Sequence, residues 1–554
     1  MNDVDVPLLA DEVWWGGAVA DGTLMPFGTV AHRRDLAHNA GLAADATSGA
    51  NQSAPLLLSS AGRALWCDRP FAFEFVVEGR QRALRASPAE FGRRPADAEI
   101  RDGDGLGGAE APLQLIETGG ALRDAFLASS SAHFPAGRGA PPRELFAGPQ
   151  YNTWIEMPYL PTQEAVLTYA RGLIDAGFPP GVLMIDDDWA VDYGDWRFDR
   201  TRFPDPRAMT DELAQLGFRV MLWLVPFVSP DGAVFRELEE RGMLLRGADG
   251  DTAIRRWWNG YSALLDVASP AAADWLADTL TALQRETGVS GFKFDGGDLR
   301  DFRDDDLPPI DASAAVISPV DRVEAWVALG ARFPFNEFRA SWRSGGLPLA
   351  QRLHDKPPTW GEDGLAGLIP EAIAQGLIGH PFVCPDMVGG GELGSFGPGA
   401  VVDQQQFVRY AQVAALFPMM QFSLSPARVL DEDHLAAVRK ALALRDSLLP
   451  EILELVDAAG ATGEPILRPL AYHHPGFEHV RDQFLLGERI LVAPVLERGA
   501  TSRPITLPPG TWQEVVRAAD GHEAGPGSTH VAGDGGLQIS VSVDLDAIPV
   551  LRRI

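Results

Sequence analysis

The chain has 554 residues, of which 46% are hydrophobic and 22% charged, and its formal net charge is −29 at pH 7. This length exceeds what one hydrophobic core serves, so about three or four domains are expected. The acidic balance argues against a nucleic-acid partner, because the phosphates would be repelled. Only Cys67 and Cys384 are present, which excludes a disulfide framework and a cysteine-rich zinc site.

The first residues carry no pattern typical of export. Residues 1–6 are acidic and include neither a basic segment nor an apolar core. No uninterrupted apolar run approaches the ~20 residues that span a bilayer. We therefore expect a cytoplasmic protein without a membrane partner, although a mature form that had lost its leader would read in the same way.

Residues 1–140 have the pattern of an all-β domain. Short apolar runs such as 55–59 and 71–77 are separated by Gly, Asp and Asn turns, and convincing helices are few. This predicts an N-terminal β-sandwich. A segment rich in Gly, Pro and Arg follows at 132–142 and is interpreted as a linker.

Residues 145–440 alternate between strands and helices. Helices are predicted at 163–176, 209–216, 272–287, 319–331 and 366–376. Candidate strands lie at 151–156, 182–186, 220–227, 291–295, 335–340, 359–360, 381–385 and 419–423. Eight such units fit a (β/α)8 barrel, an α/β fold of usually ~250 residues whose active site lies at the C-terminal ends of the strands.

The remainder, residues 441–554, is predicted to form a C-terminal β region. A helix is predicted at 430–455, and it is followed by β patterning with Pro and Gly turns, as at 488–495 and 504–512. The sequence thus predicts a catalytic barrel between an N-terminal β-sandwich and a C-terminal β-sandwich region.

The end of the fourth candidate strand is the most informative segment. Asp295 is followed by Gly296 and Gly297, which allow a sharp turn and leave space for a ligand. Lys293 shares the face of Asp295, and its charge would favour the ionised carboxylate that a nucleophile requires. The structural alternative is a plain ion pair at a strand end.

Other strand ends carry carboxylates, tryptophans and arginines. Asp186 and Asp187 belong to three adjacent carboxylates, which are costly to bury unless a ligand or partner satisfies them, although such a cluster also caps helices. Trp154 and Trp258 could stack on a sugar, although a single tryptophan is more often part of a core. Arg339 could donate to a carboxylate or a hydroxyl group, and so could Arg343.

Motifs for nucleotides or metals are missing from the sequence. There is no P-loop, no dinucleotide fingerprint, no H-E-x-x-H and no G-x-S-x-G. We expect no cofactor and no metal. The remaining equipment, carboxylates with tryptophans, is what glycoside cleavage uses.

The motifs, taken in order, resemble those of glycoside hydrolase family 31. The matching segments are K-x-D-x-G at 293–297, W-x-x-D at 360–363, G-x-P-F at 379–382, D-x-x-G-G at 386–390, G-E-P-I-L-R-P-L at 463–470 and L-V-A-P-V at 491–495. The segment 51–58 also resembles the part of the N-terminal domain that reaches toward the active site. Within the family, the likeness is to the branch that contains the myogenesis-regulating glycosidase, an α-galactosidase-like enzyme.

This resemblance implies a site and a mechanism. Asp295 would be the nucleophile and Asp363 the general acid, with Glu362 and Asp386 as rivals for the acid role. In the W-x-x-D segment Glu stands where the family usually has Gly. By the same matching, the substrate-binding residues would be Trp154, Asp186, Asp187, Trp258, Lys293 and Arg339. The placement of Arg339 is the weakest, and Arg343 or Arg352 could take its place.

The function implied is that of a retaining, exo-acting α-glycosidase. It would release α-galactose, or α-glucose, from oligosaccharides or glycosides by double displacement. α-Xylosides and sulfoquinovosides stay as alternatives, as do a lyase outcome and a non-catalytic carbohydrate-binding relative. The partner expected is thus a glycoside, and homo-oligomerisation is compatible with the sequence.

Overall fold

A computed structural model describes residues 3–37, 52–79, 81–88, 112–311 and 317–554. Eight parallel strands form its central sheet, in which each of the first six strands pairs with the next along the chain and the eighth pairs with the first. In chain order the strands are Gln150–Asn152, Val182–Ile185, Arg219–Leu224, Gly291–Phe294, Phe335–Phe338, Gln351–Arg352, Val383–Cys384 and Gln421–Phe422. Between the seventh and eighth strands, hydrogen bonds join a residue of one strand to the segment that flanks the other, such as the bond from Val388 N to Gln421 O at 2.7 Å. The sheet is therefore a nearly closed barrel, as predicted.

Helices pack around the barrel, and several of them begin at a residue whose side chain caps the first turn. The Ser269 hydroxyl accepts from Ala272 N ahead of a first-turn proline, and Ser318 caps the next helix in the same way. The helices are Leu122–His133, Glu144–Ala147, Gln163–Asp175, Pro206–Gln215, Ala233–Glu240, Pro270–Thr287, Pro319–Gly330, Leu368–Leu377, Gln404–Ala415, Pro426–Val429 and Glu432–Thr462.

The predicted sixth strand is wrong. Residues 359–360 lie in a turn region, and the sixth strand is Gln351–Arg352. Gln351 pairs in parallel with Phe338 of the fifth strand and with Val383 of the seventh. Both residues of this strand are polar and buried, so they lack the apolar pattern by which a buried strand is usually recognised. The loop after this strand therefore begins eight residues earlier than expected.

The N-terminal region consists of two β-sheets. One has the order Val4–Pro7, Gln81–Pro88, Phe71–Glu78, His32–Asp35 and is antiparallel. The second contains Trp14–Ala18, Gln52–Ser59, Arg63–Trp66 and Gln114–Glu117. Phe71, Phe73 and Phe75 alternate inward from one strand and are buried, in agreement with the β pattern of this region.

The second N-terminal sheet is joined to the barrel. Gln52–Ser59 pairs in parallel with Ser341–Trp342, which follows the fifth barrel strand. The side-chain amide of Gln52 donates to Arg352 O at 2.7 Å and to Arg339 O at 3.1 Å. This segment therefore contacts the strands that carry site residues, as its resemblance implied, although Asn51 lies outside the described residues.

The C-terminal region is antiparallel. One sheet has the order Leu467–Arg468, Phe484–Leu486, Ile490–Val492, Val550–Arg553, Gly510–Arg517, Glu523–Ala532, and Ser502–Leu507 pairs with Leu537–Ser542. The helix Glu432–Thr462 runs without interruption through the predicted boundary at 440 and ends at Gly463, which has φ 77°. The β-region begins only after that helix.

Small sheets inserted after barrel strands shape the mouth of the barrel. The hairpin Ala190–Asp192 and Asp195–Phe198 follows the second barrel strand. The strands Phe227–Val228, Ile254–Trp257 and Gly260–Leu264 follow the third. Within the described ranges no helix is long and apolar enough to cross a membrane.

Candidate active site

A pocket of about 310 Å³ opens at the C-terminal ends of the barrel strands, where barrels of this type perform their chemistry. Four aromatic rings and five carboxylates surround it. It is lined by Trp154, Tyr159, Asp186, Asp187, Trp223, Trp258, Lys293, Asp295, Arg300, Arg339, Asp355, Glu392 and Leu393. Seven of the eight site residues predicted from the sequence are among them, and the exception is Asp363.

A second cavity, of about 360 Å³, lies at the opposite end of the barrel. Pro149, Pro180, Gly181 and Gly217 line it, and Arg445 also contributes. The guanidinium of Arg445 donates to four backbone carbonyls, among them Phe146 O at 2.7 Å. These contacts are structural, and the cavity lies away from the strand-end carboxylates.

Asp295 follows the fourth barrel strand and is held by several donors. Its Oδ2 accepts from Trp223 Nε1 at 2.8 Å, and its Oδ1 lies 3.3 Å from Arg339 Nε. Burial by itself would raise the pKa of Asp295, but the charges of Arg339, Lys293 and Arg352 outweigh it and hold the pKa well below its usual range. The carboxylate is therefore ionised at neutral pH. Gly297 needs its positive φ of 66° and its missing side chain, because a Cβ would lie 2.6 Å from Trp326.

Lys293 joins two carboxylates in the barrel interior. Its Nζ donates to Asp186 Oδ2 at 2.7 Å and lies 3.9 Å from Asp295 Oδ2. Burial would lower the pKa of Lys293, but Asp186 and Asp295 raise it. The lysine therefore stays charged and contacts both carboxylates, in agreement with its predicted place on the face of Asp295.

Asp187 lies in a hydrogen-bond cluster on another side of the pocket. Its Oδ1 accepts from Tyr193 OH at 3.0 Å, and its Oδ2 accepts from Asn259 Nδ2 at 2.7 Å. Burial and the charge of Asp186 raise the pKa of Asp187 to about 7. Tyr159 OH donates to Asn259 Oδ1 at 3.2 Å. These polar groups could exchange hydrogen bonds with ligand hydroxyls.

Aromatic faces and one guanidinium form the rest of the wall. Trp258 is 39% exposed, and the guanidinium carbon of Arg339 lies 4.9 Å from its ring centre. Arg339 also donates to Asp298 Oδ2 at 2.6 Å. Trp154 Nε1 donates to Gly391 O at 3.0 Å, which orients that ring. The exposed face of Trp258 is suited to the C–H surface of a sugar.

Asp355 provides a second catalytic candidate. It follows the sixth barrel strand, and its side chain is 33% exposed. Arg352 Nη1 donates to Asp355 Oδ1 at 2.7 Å and to Asp386 Oδ1 at 2.6 Å. Burial would raise the pKa of Asp355, but Arg352, Arg339 and Lys293 outweigh it and lower the pKa. Asp295 acts in the opposite sense, since its negative charge raises the pKa of Asp355.

The structure does not bring Asp363 into the pocket, and this corrects its predicted placement. Asp363 is exposed, and its Oδ1 accepts from Thr359 Oγ1 at 2.6 Å. The physical reason is the earlier sixth strand, which puts Asp355 rather than Asp363 at the strand end. Of the two rivals, Glu362 is also exposed and Asp386 is fully buried behind Arg352.

The three candidate arginines separate clearly. Arg339 lines the pocket. Arg352 lies behind the pocket wall and contacts the pocket residue Asp355. Arg343 pairs with Glu324 at 2.9 Å, and its guanidinium also donates to Asp68 O in the N-terminal region. Arg343 therefore joins two domains and is not part of the pocket.

Sequence reasoning missed Asp355, Trp223, Tyr193 and Asn259. Trp223 lies within the third candidate strand, and strand alternation could have placed it on the inner face. Tyr193 and Asn259 belong to the inserted β-elements after the second and third strands. No local signal marks them, because their position depends on how these insertions fold over the barrel.

Family models match two parts of the chain. Residues 141–336 match the TIM-barrel domain of glycosyl hydrolases family 31, and residues 463–554 match the C-terminal domain of the same family. The chain belongs to glycoside hydrolase family 31. The barrel with β-sheet regions on both sides is thus a family 31 architecture.

Individual relatives extend this finding. The chain is similar to the myogenesis-regulating glycosidase of Mus musculus, with 36% identity over 67% of this chain and 53% of that protein. It is 29% identical to a sulfoquinovosidase of Agrobacterium fabrum over 58% of this chain and 50% of that one. It is 26% identical to the lysosomal alpha-glucosidase of Bos taurus over 68% of this chain and 45% of that one. The chain thus spans about half the length of these family 31 relatives.

A solved structure shares the fold. The family 31 dextranase of Flavobacterium johnsoniae, complexed with glucose, superimposes with a TM-score of 0.78 at 19% identity, over 100% of this chain and 66% of that one. At this identity the likeness shows the fold alone. Because the relatives are named for different sugars, family membership supports an α-glycosidase without deciding its substrate.

Proposed function

We propose that this protein is a retaining α-glycoside hydrolase in which Asp295 is the nucleophile and Asp355 the general acid and base. The observation that carries the proposal is that Asp295 and Asp355 line the same pocket. Asp295 is ionised and held by an indole N–H and an arginine. A retaining mechanism needs such a pair of carboxyls on opposite sides of the scissile bond.

The first chemical step would form a covalent intermediate. Asp295 attacks the anomeric carbon while Asp355 gives its proton to the leaving oxygen, and the aglycone departs as an alcohol. In the second step Asp355 takes a proton from water, whose oxygen attacks the anomeric carbon and releases Asp295. Two inversions give net retention.

The charge of Asp295 would help Asp355 to change from acid in the first step to base in the second. While Asp295 is ionised, its charge raises the pKa of Asp355 and so opposes Arg352, Arg339 and Lys293, which hold that pKa below its usual value. Once Asp295 is esterified this charge disappears, and Arg352, Arg339 and Lys293 lower the pKa of Asp355 without that opposition. Asp355 is then the base that the second step requires.

We propose α-galactosides, followed by α-glucosides, as the substrates. These sugars differ in the orientation of one hydroxyl group, so the polar cluster of Asp187, Tyr193 and Asn259 would decide between them. A site that hydrogen-bonds the correct hydroxyl rejects the other epimer strongly, because its buried polar groups are then left unpaired. α-Xylosides and sulfoquinovosides are the competing substrates within the same mechanism.

The test is turnover of a panel of aryl α-glycosides, comprising galactoside, glucoside, xyloside, mannoside, N-acetylgalactosaminide and sulfoquinovoside. NMR of the first-formed product should show the α-anomer. A 5-fluoroglycosyl fluoride of the preferred sugar should label Asp295, as read by peptide mass spectrometry. Sugar binding without turnover or labelling would favour a non-catalytic carbohydrate-binding protein.

A further inference from the structure

Arg352 is a buried cation that contacts three carboxylates. Its Nη1 donates to Asp355 and to Asp386, and its Nε lies 3.3 Å from Glu337 Oε1. Arg352 and Glu337 are each only 1% exposed. The contact between Nε and Oε1 is an ion pair without hydrogen-bond alignment, and neither atom has a hydrogen-bond partner among the described residues. Each of these two atoms therefore depends on the other for compensation of its charge.

Glu337 is itself held in place from the other side of the barrel. Its Oε2 accepts from Gln421 Nε2 at 2.9 Å, and the same amide donates to Gln150 Oε1 at 2.9 Å. Asn152 Nδ2 donates to Gln421 Oε1 at 3.2 Å. A chain of polar contacts thus runs from the first and eighth strands through Glu337 to Arg352. Its end at Asp355 is the only part of this chain that lines the pocket, within the residues that the structure describes.

We propose that Glu337 is a positioning residue for Asp355 and acts through Arg352. The proposal rests on the proposed function, in which Asp355 is the acid and base. Glu337 fixes the orientation of the Arg352 guanidinium, so that Nη1 faces Asp355 and Asp386. Its negative charge also offsets the Arg352 charge, which would otherwise hold Asp355 too strongly in the ionised form.

The other charges around these groups set the direction of the effect. Arg352, Arg339, Lys293, Asp295, His354 and Asp386 face Asp355. Arg352, Lys293 and Asp186 face Glu337, and the Cys384 thiol lies nearby. Cations predominate next to Asp355. The loss of the buried negative charge of Glu337 must therefore lower the proton affinity of Asp355 further. The acid would then lose its proton at a lower pH.

The experiment compares Glu337→Gln with wild type on two substrates of the preferred sugar. An alkyl glycoside needs the acid's proton, whereas a glycosyl fluoride does not. We expect kcat/KM to fall about tenfold or more on the alkyl glycoside and less than about threefold on the fluoride, given that general acids contribute ~10²–10⁴-fold. The alkaline limb of the kcat/KM profile on the alkyl glycoside should move to lower pH. Glu337→Asp, which keeps the charge, should restore the limb in part.

Asp266→Asn is a matched control, because Asp266 is also buried and pairs with a buried cation, Arg322, at 3.4 Å, and no contact joins it to Asp355 or Arg352 in the part of the chain that the structure describes. It should leave the ratio of the two substrates unchanged. Equal losses on both substrates in Glu337→Gln, or an unmoved alkaline limb, would overturn the proposal. If Glu337→Gln does not fold, as judged by thermal melting, the shorter Glu337→Asp must still alter the substrate ratio.

A direct reading of Asp355 keeps this proposal distinct from the proposed function. Difference infrared titration of wild type against Asp355→Asn reports the carboxyl of Asp355 whether or not the protein turns over a glycoside. Glu337→Gln should move that titration to lower pH. If no glycoside is turned over, the proposed function fails, whereas an unmoved titration refutes the coupling of Glu337 to Asp355.

Discussion

The indole Nε1 of Trp223 donates a hydrogen bond to Asp295 Oδ2 at 2.8 Å. This contact joins the third barrel strand to the end of the fourth and leaves Oδ1 to Arg339 and the Gly296 amide. The bond stabilises the ionised carboxylate. We therefore expect Trp223→Phe to lower kcat/KM roughly 10- to 100-fold, as for the loss of a hydrogen bond to a charged group.

The same substitution should raise the pKa of Asp295, because a donor to its ionised form is lost. The fall of kcat/KM at low pH, well below the rise near pH 7 that belongs to Asp187, should therefore move to higher pH in Trp223→Phe. Trp189→Phe is the control, since the Trp189 indole is also buried but donates to Trp223 O rather than to a carboxylate. A shifted limb in both variants would point to a general loss of packing.

Asp295→Asn should abolish turnover while sugar binding and fold are retained. The substitution keeps the shape of the side chain but removes the negative charge of the nucleophilic oxygen. Only part of the negative charge that faces Arg339 and Lys293 is lost. Steady-state kinetics and calorimetry with the product sugar are the measurements. A variant that keeps a tenth of the wild-type rate would remove Asp295 from the nucleophile role.

Asp355→Ala and Asp363→Ala should behave oppositely. Asp355→Ala should lose far more rate on a disaccharide than on a dinitrophenyl glycoside, because a good leaving group departs without a proton. Azide should rescue it and form an α-glycosyl azide. Asp363→Ala should stay near the wild-type rate on both substrates, because Asp363 is exposed and outside the pocket. The reverse pattern would return the acid role to Asp363.

The pH dependence should report Asp187. Its pKa of about 7 lies above the usual value for Asp because of burial and the charge of Asp186. Below pH 7 the folded state therefore carries a proton on Asp187, and the ionised acceptor for sugar hydroxyls appears only as pH rises through 7. We expect kcat/KM to rise through this pH in wild type, and the rise to disappear in Asp187→Asn.

Asp188→Asn is the control for this profile, because Asp188 is adjacent but lies outside the pocket and 3.3 Å from Arg202. It should keep the rise near pH 7.

The raised pKa of Asp187 has a second consequence. Between about pH 4 and 7 the folded state binds a proton that the unfolded chain has released, so the contribution of Asp187 to stability falls as pH rises through this range. In the activity profile, a rise of kcat/KM near pH 7 that persists in Asp187→Asn would show that another group causes the rise.

The sequence by itself determined the barrel, most of its helices and one side of the site. Capping residues and first-turn prolines mark where helices such as Pro270–Thr287 and Pro319–Gly330 begin. The strand Gly291–Phe294, with Asp295 and two glycines after it, is a local pattern that holds its meaning without knowledge of distant contacts. Lys293 could be placed because residues two apart on a strand have their side chains on the same face.

Only the tertiary structure brings Asp355 into the pocket that Asp295 lines. The sixth strand is two polar residues long, both buried, and Arg352 pairs with a group far away in the chain, Asp386. A periodic apolar pattern cannot reveal such a strand, so the acidic residues that follow it could not be ordered in space. The sequence could not reveal the roles of Trp223, Asn259 and Glu337 for the same reason, because these roles depend on neighbours across the barrel rather than along the sequence.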